Sequence, residues 1–370
     1  MNHEPVTEDR TSKRVCVGMS GGVDSSVAAY LLQKQGYDVV GLTMQIWDGT
    51  IKLPDTGRAG CYGPGEIRDL ESARSVASRL GIQHIAVPLT DQYKHYVLDY
   101  FRSEYRAGRT PNPCVVCNQR LKFGSLIERA REQGIAFDFF ATGHYARVVR
   151  DSATGLCSLL RGVDHRKDQS YFLARLTQDQ LRQVLFPLGE LTKPDVIRLA
   201  RDAGFGDIAA REESQDFVEC DDYSALFQPA DNRPGPIVDT DGHVLGQHHG
   251  IIHYTIGQRE GLNLGGQKQP LYVVGLDASA NRVIVGPADG LLRAEFEATD
   301  CNWPTIEPPV TPMEVTVKIR YNHHGCKAIV EPVNDGLVHV RLEEPQRAVA
   351  PGQAAVFYRD DLVLGSGWIR

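Results

Sequence analysis

The chain has 370 residues, enough for two or three domains, and 42% hydrophobic against 24% charged residues is the balance of a protein with a substantial core. No apolar run reaches the ~18 residues a membrane-spanning helix needs, and the polar start Met1-Asn2-His3-Glu4 is no secretory leader; the cytoplasm is the expected compartment, with no membrane partner. The formal charge of −7 argues against a uniformly basic nucleic-acid surface, and eight irregularly scattered cysteines without an export signal read as thiols, ligands or nucleophiles, not as a disulfide framework.

Val15-Cys16-Val17 predicts a buried strand that runs into Gly18-Met19-Ser20-Gly21-Gly22-Val23-Asp24-Ser25 and then into a helix ending near Gly36. Adjacent glycines let the backbone approach a ligand, Ser20 and Ser25 add hydroxyls, and the helix start directs free N–H groups at an anion. This is a phosphate cradle. The Walker pattern and Gly-x-Gly-x-x-Gly are both absent. Asp24 suits Mg²⁺ on a triphosphate and equally suits a helix cap.

Farther along, Val39 to Met44, His84 to Val87 and Phe137 to Thr142 read as short buried strands. Leu70, Ala73, Val76, Ala77 and Leu80 keep helical spacing with Gly81 as a stop, and Thr192 caps a helix with Pro194 in its first turn that closes at Gly204. Such alternation predicts an α/β fold with a parallel sheet and ligands at the carboxyl ends of its strands. Between Arg102 and Arg131 seven basic residues face two acidic ones, a local positive segment that is either a solvated face or a nucleic-acid footprint. Inside it, Arg109-Thr110-Pro111-Asn112-Pro113-Cys114-Val115-Val116-Cys117-Asn118 is expected to be a stiff, non-helical loop. Its Cys-x-x-Cys pair is open to redox, metal or packing roles.

Past Glu212 glycine and proline become dense and helical periodicity fades, which predicts a small, mostly β central domain. Pro304 to Pro312 reads as a crossing; Val315, Val317 and Ile319 alternate with polar residues, Val338 to Leu342 repeats the pattern, and Asn334-Asp335-Gly336 is a hairpin turn. A C-terminal β-barrel fits. The expected division is 1–211 for the nucleotide domain, 212–287 for the central domain and 288–370 for the barrel.

The run Gly18 to Ser25 resembles the pyrophosphate loop of enzymes that split ATP between its α and β phosphates. With it, Gly108 to Pro113, Cys117-Asn118, Lys122-Phe123, Ala141 to Tyr145, Lys167 to Leu173, His253 to Arg259 and Pro351-Gly352-Gln353 resemble the tRNA-specific 2-thiouridylase family, in order along nearly the whole chain. The resemblance implies three domains and an ATP-dependent reaction: the C2 oxygen of the wobble uridine in tRNAs for Lys, Glu and Gln is adenylated, then replaced by sulfur with release of AMP. By the same resemblance Gly18, Met19, Ser20, Gly21, Gly22, Val23, Asp24, Ser25, Met44 and Gly143 bind ATP with Mg²⁺. Asn112, Pro113 and Cys114 meet the target base, Cys117 is the nucleophile, and His144, Lys167, Asp168, Gln169, Arg320, Tyr321 and Gln353 touch tRNA. A cysteine desulfurase or sulfur-relay protein is the implied donor.

Two departures from the family stand out. The second cysteine is expected four residues after Ser214, where this chain has Val218, and Cys220 comes two residues late. Cys114 occupies a position where many members carry aspartate. Cys220 is therefore one candidate for the persulfide. The alternative is a four-iron cluster on Cys114, Cys117 and either Cys220 or Cys61, with an open iron to carry sulfide. Cys16, Cys157, Cys301 and Cys326 read as packing residues. From a different class, a pyrophosphate-loop ligase acting on a small molecule would share Ser20 to Ser25 but would need neither the cysteine loop nor the barrel.

Overall fold

A computed structural model describes residues 13–53, 60–210, 216–220, 222–266, 269–334 and 336–370. The turn residue Asp335 and the segment Glu213-Ser214-Gln215, from which the second cysteine was counted, lie outside the described residues. The chain forms two compact units. The first holds the described residues up to Tyr93 and from Cys117 to Cys220; the second holds Lys94–Val116 and 222–370.

In the first unit, strands β1 (Arg14–Gly18), β2 (Asp38–Gln45), β3 (Gln83–Pro88), β4 (Phe139–Thr142) and β5 (Val184–Leu185) form a sheet in the order β3-β2-β1-β4-β5. Neighbouring strands are all parallel. Strand order reverses at β1, with β2 on one side and β4 on the other, so the carboxyl end at Gly18 opens onto a topological switch point. Helix α1 (Val23–Lys34) buries Val23, Val27, Ala28, Ala29 and Leu32 against Val15 and Val17 of β1, and against Val196 and Ala200 of the helix Lys193–Asp202. Each fully buried valine or leucine here contributes about 1.5–3 kcal/mol relative to exposure. Helix α2 (Glu66–Leu80) ends on Gly81 in the left-handed region, φ 66°, where glycine carries no Cβ penalty. Thr192 caps the helix Lys193–Asp202 through a capping box with Asp195, as its sequence signature requires.

The second unit contains a four-stranded sheet and a barrel. Strands β6 (Gly235–Val238), β7 (Val244–His248), β8 (Tyr272–Asp277) and β9 (Arg282–Gly286) pair in the order β7-β6-β9-β8 around Ile237, Val273, Val283 and Val285. Strands β10 (Leu292–Asn302), β11 (Met313–Lys318), β12 (Cys326–Asn334), β13 (Leu337–Arg347), β14 (Ala354–Arg359) and β15 (Leu362–Ile369) run β10-β13-β12-β11-β14-β15. Pairing of β10 with β15 closes the barrel. Val315, Val317 and Ile319 point into it, confirming the period-two reading.

One local expectation is overturned. Pro113–Val116 is helical and continues into a π-helical stretch, Cys117–Ser125, so Cys-x-x-Cys lies on helix and not on a loop. Pro113 takes the first helical position, where its missing N–H costs nothing and its fixed φ is already suitable.

Candidate active site

The loop between β1 and α1 is fixed by its own glycines and hydroxyls. Gly21 has φ 76°, and a methyl there would run into the Asp69 carbonyl, so only glycine fits. Ser25 Oγ donates to the Gly22 carbonyl at 3.1 Å and accepts from the Ser20 amide at 3.2 Å; Ser26 Oγ donates to the same carbonyl at 2.8 Å. Ser25 therefore shapes the loop, while Ser20 stays exposed. Thr43 Oγ1 of β2 donates to the Met19 carbonyl at 2.7 Å, and half-buried Met44 follows it at the strand's end. The half-buried Glu66 carboxylate, accepting from the amides of Ile46 and Trp47, holds the chain just beyond.

From the other side of the switch point, Gly143 packs on the start of α1. A methyl there would lie 2.7 Å from both the Asp24 carbonyl carbon and the Ser25 amide nitrogen. Asp24 makes no side-chain cap, which removes the capping alternative. Its Oδ1 accepts from Tyr145 Oη at 2.8 Å and pairs with Lys193 Nζ at 2.7 Å. Neither Lys193 nor Tyr145 carries a role of its own in the sequence pattern. The Thr192 cap was the available signal, since it places Lys193 at a helix start, but only the packing of that helix on α1 shows what the lysine meets.

In the same unit, Cys117 opens the π-helical stretch and is half-buried. Burial pushes its thiol up to about 11, opposed by the Lys122 cation; negative charge on Cys61 pushes it further up. Cys61 is exposed on the strand Gly60–Tyr62, which pairs in parallel with Asp216–Val218 so that Tyr62 faces Val218. Tyr93 braces the two strands, its ring stacked 4.9 Å from Tyr62 and its hydroxyl donating to the Phe217 carbonyl at 3.2 Å. The helical turn Thr90–Tyr93 also packs on Cys117–Ser125. Cys220, by contrast, is 3% exposed. Among the described residues, the group of three or more candidate ligands whose donor atoms all lie within 4.8 Å is Asp239, Asp241 and His243, not a set of cysteines.

His144 is buried, with Nδ1 2.7 Å from Thr142 Oγ1; burial and the Lys122 charge hold its imidazole well below the ordinary value, so it is neutral at pH 7. Asp168 is also buried, accepting from the Gly162 and Ser170 amides and the Ser170 hydroxyl. Gln169 Oε1 accepts from the Tyr145 amide at 3.0 Å. Lys167-Asp168-Gln169 is thus a braced turn and not a solvated loop, with Lys167 half-buried.

The second unit presents Asn112, Pro113 and Cys114. Asn112 is 7% exposed and its amide donates to Tyr100 Oη. Gln353 Nε2 donates to the carbonyls of Thr110 and Pro111 at 3.2 and 2.8 Å, and the Thr110 amide donates to the Pro351 carbonyl at 2.7 Å. Gln353 thereby holds the segment leading to Asn112. Arg320 donates to the Arg347 carbonyl at 3.1 Å, and Lys318 lies over the Tyr321 ring at 5.6 Å.

The positive segment is less free than its composition suggests. Arg106 pairs with Asp231, Arg109 with Glu104, Arg102 with Asp99 and Arg129 with Glu132. Three of those carboxylates lie outside the counted window, so sequence proximity overstated the net charge.

Residues 13–220 match the family described as "tRNA methyl transferase HUP domain", 225–287 the "tRNA methyl transferase PRC-barrel domain" and 293–369 the "Aminomethyltransferase beta-barrel domain". A protein of Endomicrobium trichonymphae named tRNA-specific 2-thiouridylase MnmA is 46% identical over 361 residues, 97% of this chain and 99% of that protein. One of the same name from Geobacter metallireducens is 46% identical over 368 residues, 98% of each. Among solved structures, an NMN synthetase from Francisella tularensis aligns over 59% of this chain and 69% of that one, at 18% identity and a TM-score of 0.32.

Proposed function

The chain belongs to the tRNA-specific 2-thiouridylases, and from that premise we propose how its own residues divide the work of this ATP-dependent tRNA sulfurtransferase. ATP sits on Gly18 to Ser25 with Gly143 behind it, Met44 lining the adenine. It supplies the adenylyl group that turns the C2 oxygen of the wobble uridine, in tRNAs for Lys, Glu and Gln, into a leaving group. The cradle fits a triphosphate: glycine is forced at Gly21 and Gly143, and the amides at the start of α1 are uncapped by any side chain. Mg²⁺ suits the second oxygen of Asp24, whose first is held by Lys193 and Tyr145, and would neutralise phosphate charge.

Asn112, Pro113 and Cys114 receive the target base, Gln353 positions that segment, and His144, Lys167, Arg320 and Tyr321 engage the tRNA. Asp168 and Gln169 act from beneath, by fixing the turn. Sulfur is carried on Cys117 as a persulfide. Its outer sulfur bonds to C2 while the bond from C2 to the adenylated oxygen breaks and AMP departs. The Cys61 thiolate then bonds to the Cys117 sulfur, the sulfur–sulfur bond to the base breaks, and the thiocarbonyl is left on the tRNA. The resulting Cys61–Cys117 disulfide is reduced by an external dithiol, and a cysteine desulfurase or relay protein reloads the persulfide. The persulfide role read for Cys220 passes to Cys117, and Cys61 becomes the resolving thiol, because Cys61 lies close enough to act on the Cys117 thiol whereas Cys220 is 3% exposed. A four-iron cluster on Cys114, Cys117 and Cys220 or Cys61 is the alternative sulfur carrier, and iron and acid-labile sulfide analysis of anaerobically purified enzyme distinguishes the two. The tRNA substrate supports the expectation of a cytoplasmic enzyme.

The observation that carries this reading is that the glycine-forced nucleotide loop and the Cys61–Cys117 pair belong to one compact unit. The test is AMP release that depends on added tRNA, with mass spectrometry of the wobble uridine for exchange of oxygen by sulfur. AMP release with a small-molecule acceptor and no need for tRNA would favour the ligase alternative. Cys61→Ser should stop multiple-turnover thiolation and Cys220→Ala should not; the reverse pattern returns the role to Cys220.

A further inference from the structure

Lys122 is half-buried, yet makes no ion pair or hydrogen bond among the described residues. It lies on the π-helical stretch that begins at Cys117. In an α-helix the fifth residue onward turns well away from the first, but i→i+5 bonding winds more residues into each turn and brings Lys122 back over Cys117. The next residue, Phe123, has its ring centroid 6.0 Å from that of His144. His144 follows Gly143, the glycine pressed against the backbone of Asp24 and Ser25. A cation with no ion-pair or hydrogen-bond partner among the described residues therefore lies within electrostatic reach of both thiols and of the histidine next to the cradle's Gly143.

Its field reaches all three neighbours. Lys122 is the leading charge acting on Cys117, Cys61 and His144 alike. Neutral His144 cannot share the role. An unpaired, half-buried ammonium is costly to keep unless an anion arrives to meet it. The reaction supplies one: an adenylated uridine carries a single negative charge on its phosphodiester, and AMP leaves with a second as the C2–oxygen bond breaks. A fixed cation at that phosphate favours the departing state over the bound one, which is the condition for accelerating the step.

We propose that Lys122 is the catalytic cation of sulfur transfer, binding the phosphate of the adenylated uridine and stabilising the charge that grows on AMP as sulfur displaces it. The electron pair of the C2–oxygen bond goes to the AMP phosphate, and the persulfide supplies the pair for the new C2–sulfur bond. This rests on the thiouridylase reading and assigns to it a residue that the cysteine motifs do not.

The experiment is a single-turnover rapid quench with labelled ATP, full-length tRNA and persulfide-loaded enzyme, comparing wild type, Lys122→Met and Lys122→Arg. In Lys122→Met, pyrophosphate should form near the wild-type rate, adenylated tRNA should accumulate, and thiolation should slow roughly 100-fold. Lys122→Arg should recover most of that loss. Equal loss of pyrophosphate formation and thiolation in Lys122→Met, or unchanged thiolation, overturns the proposal. Should Lys122→Met fail to fold by thermal melting, Lys122→Gln carries the same comparison. Wild-type enzyme that forms no tRNA-dependent AMP would instead overturn the thiouridylase reading itself.

Discussion

From Gly18 to Ser25 the loop's backbone is braced in part locally, by the Ser25 and Ser26 hydroxyls on the Gly22 carbonyl and the Ser20 amide three to five residues away, with Thr43, Tyr145 and Lys193 added by packing. At Thr110 and Pro111, between Arg109 and Asn112, it is held by Gln353, more than 240 residues distant along the chain. On the proposed reading the first segment serves ATP, and a short motif with forced glycines largely defines it. The second would serve tRNA, and its shape depends on the barrel having folded. The comparison predicts that damage to the first should be abrupt and confined to nucleotide chemistry, whereas damage to the second should be graded and confined to tRNA.

The largest effect is expected for Gly143→Ala. Its new methyl meets backbone atoms of Asp24 and Ser25 at 2.7 Å, which can yield only if α1 moves. ATP binding by calorimetry and tRNA-dependent AMP formation should fall about 100-fold or more. Retained AMP formation would mean that the cradle is softer than its packing implies. Asp24→Ala comes next: AMP formation should be lost while the tRNA dissociation constant, measured by filter binding, stays within a few-fold. Parallel loss of both would break the separation between the two segments.

Gln353→Ala should act on the other side. It removes two hydrogen bonds of about 0.5–1.5 kcal/mol each, so thiolation should fall roughly tenfold with ATP affinity unchanged. A change in ATP affinity would show that the two segments are coupled. The smallest effect concerns acid stability far from either segment. Arg79 holds the exposed Asp207 carboxyl at about 2, below its ordinary value of 3.8. Its contribution is complete above that ordinary value and is lost as the pH falls toward 2. Asp207→Asn should therefore lower the urea midpoint slightly at neutral pH, with the gap to wild type closing below pH 4. A gap that stays constant would mean that the ion pair plays no part.

Much of the nucleotide side was legible because strand, glycine turn and capped helix are local patterns. Val15-Cys16-Val17, Gly21-Gly22 and Thr192-Lys193-Pro194 each dictate their backbone within a few residues. The cysteine segment was read less well. Two prolines argued for a loop, but Pro113 begins a helix, and nothing local announces that the helix widens at Cys117. The basic count between Arg102 and Arg131 likewise missed Asp231, which lies 125 residues from its partner Arg106.

By itself the sequence determined the parallel α/β unit, the cradle's backbone and the central and barrel β segments, because periodicity and glycine placement constrain φ and ψ residue by residue. Only the tertiary structure decided that Lys193 meets Asp24, that Gln353 grips Thr110 and Pro111, and that Cys61 is exposed where Cys220 is buried. Those pairings follow from which faces pack together, and packing selects its partners by shape and burial over the whole unit rather than by any pattern a short window can hold.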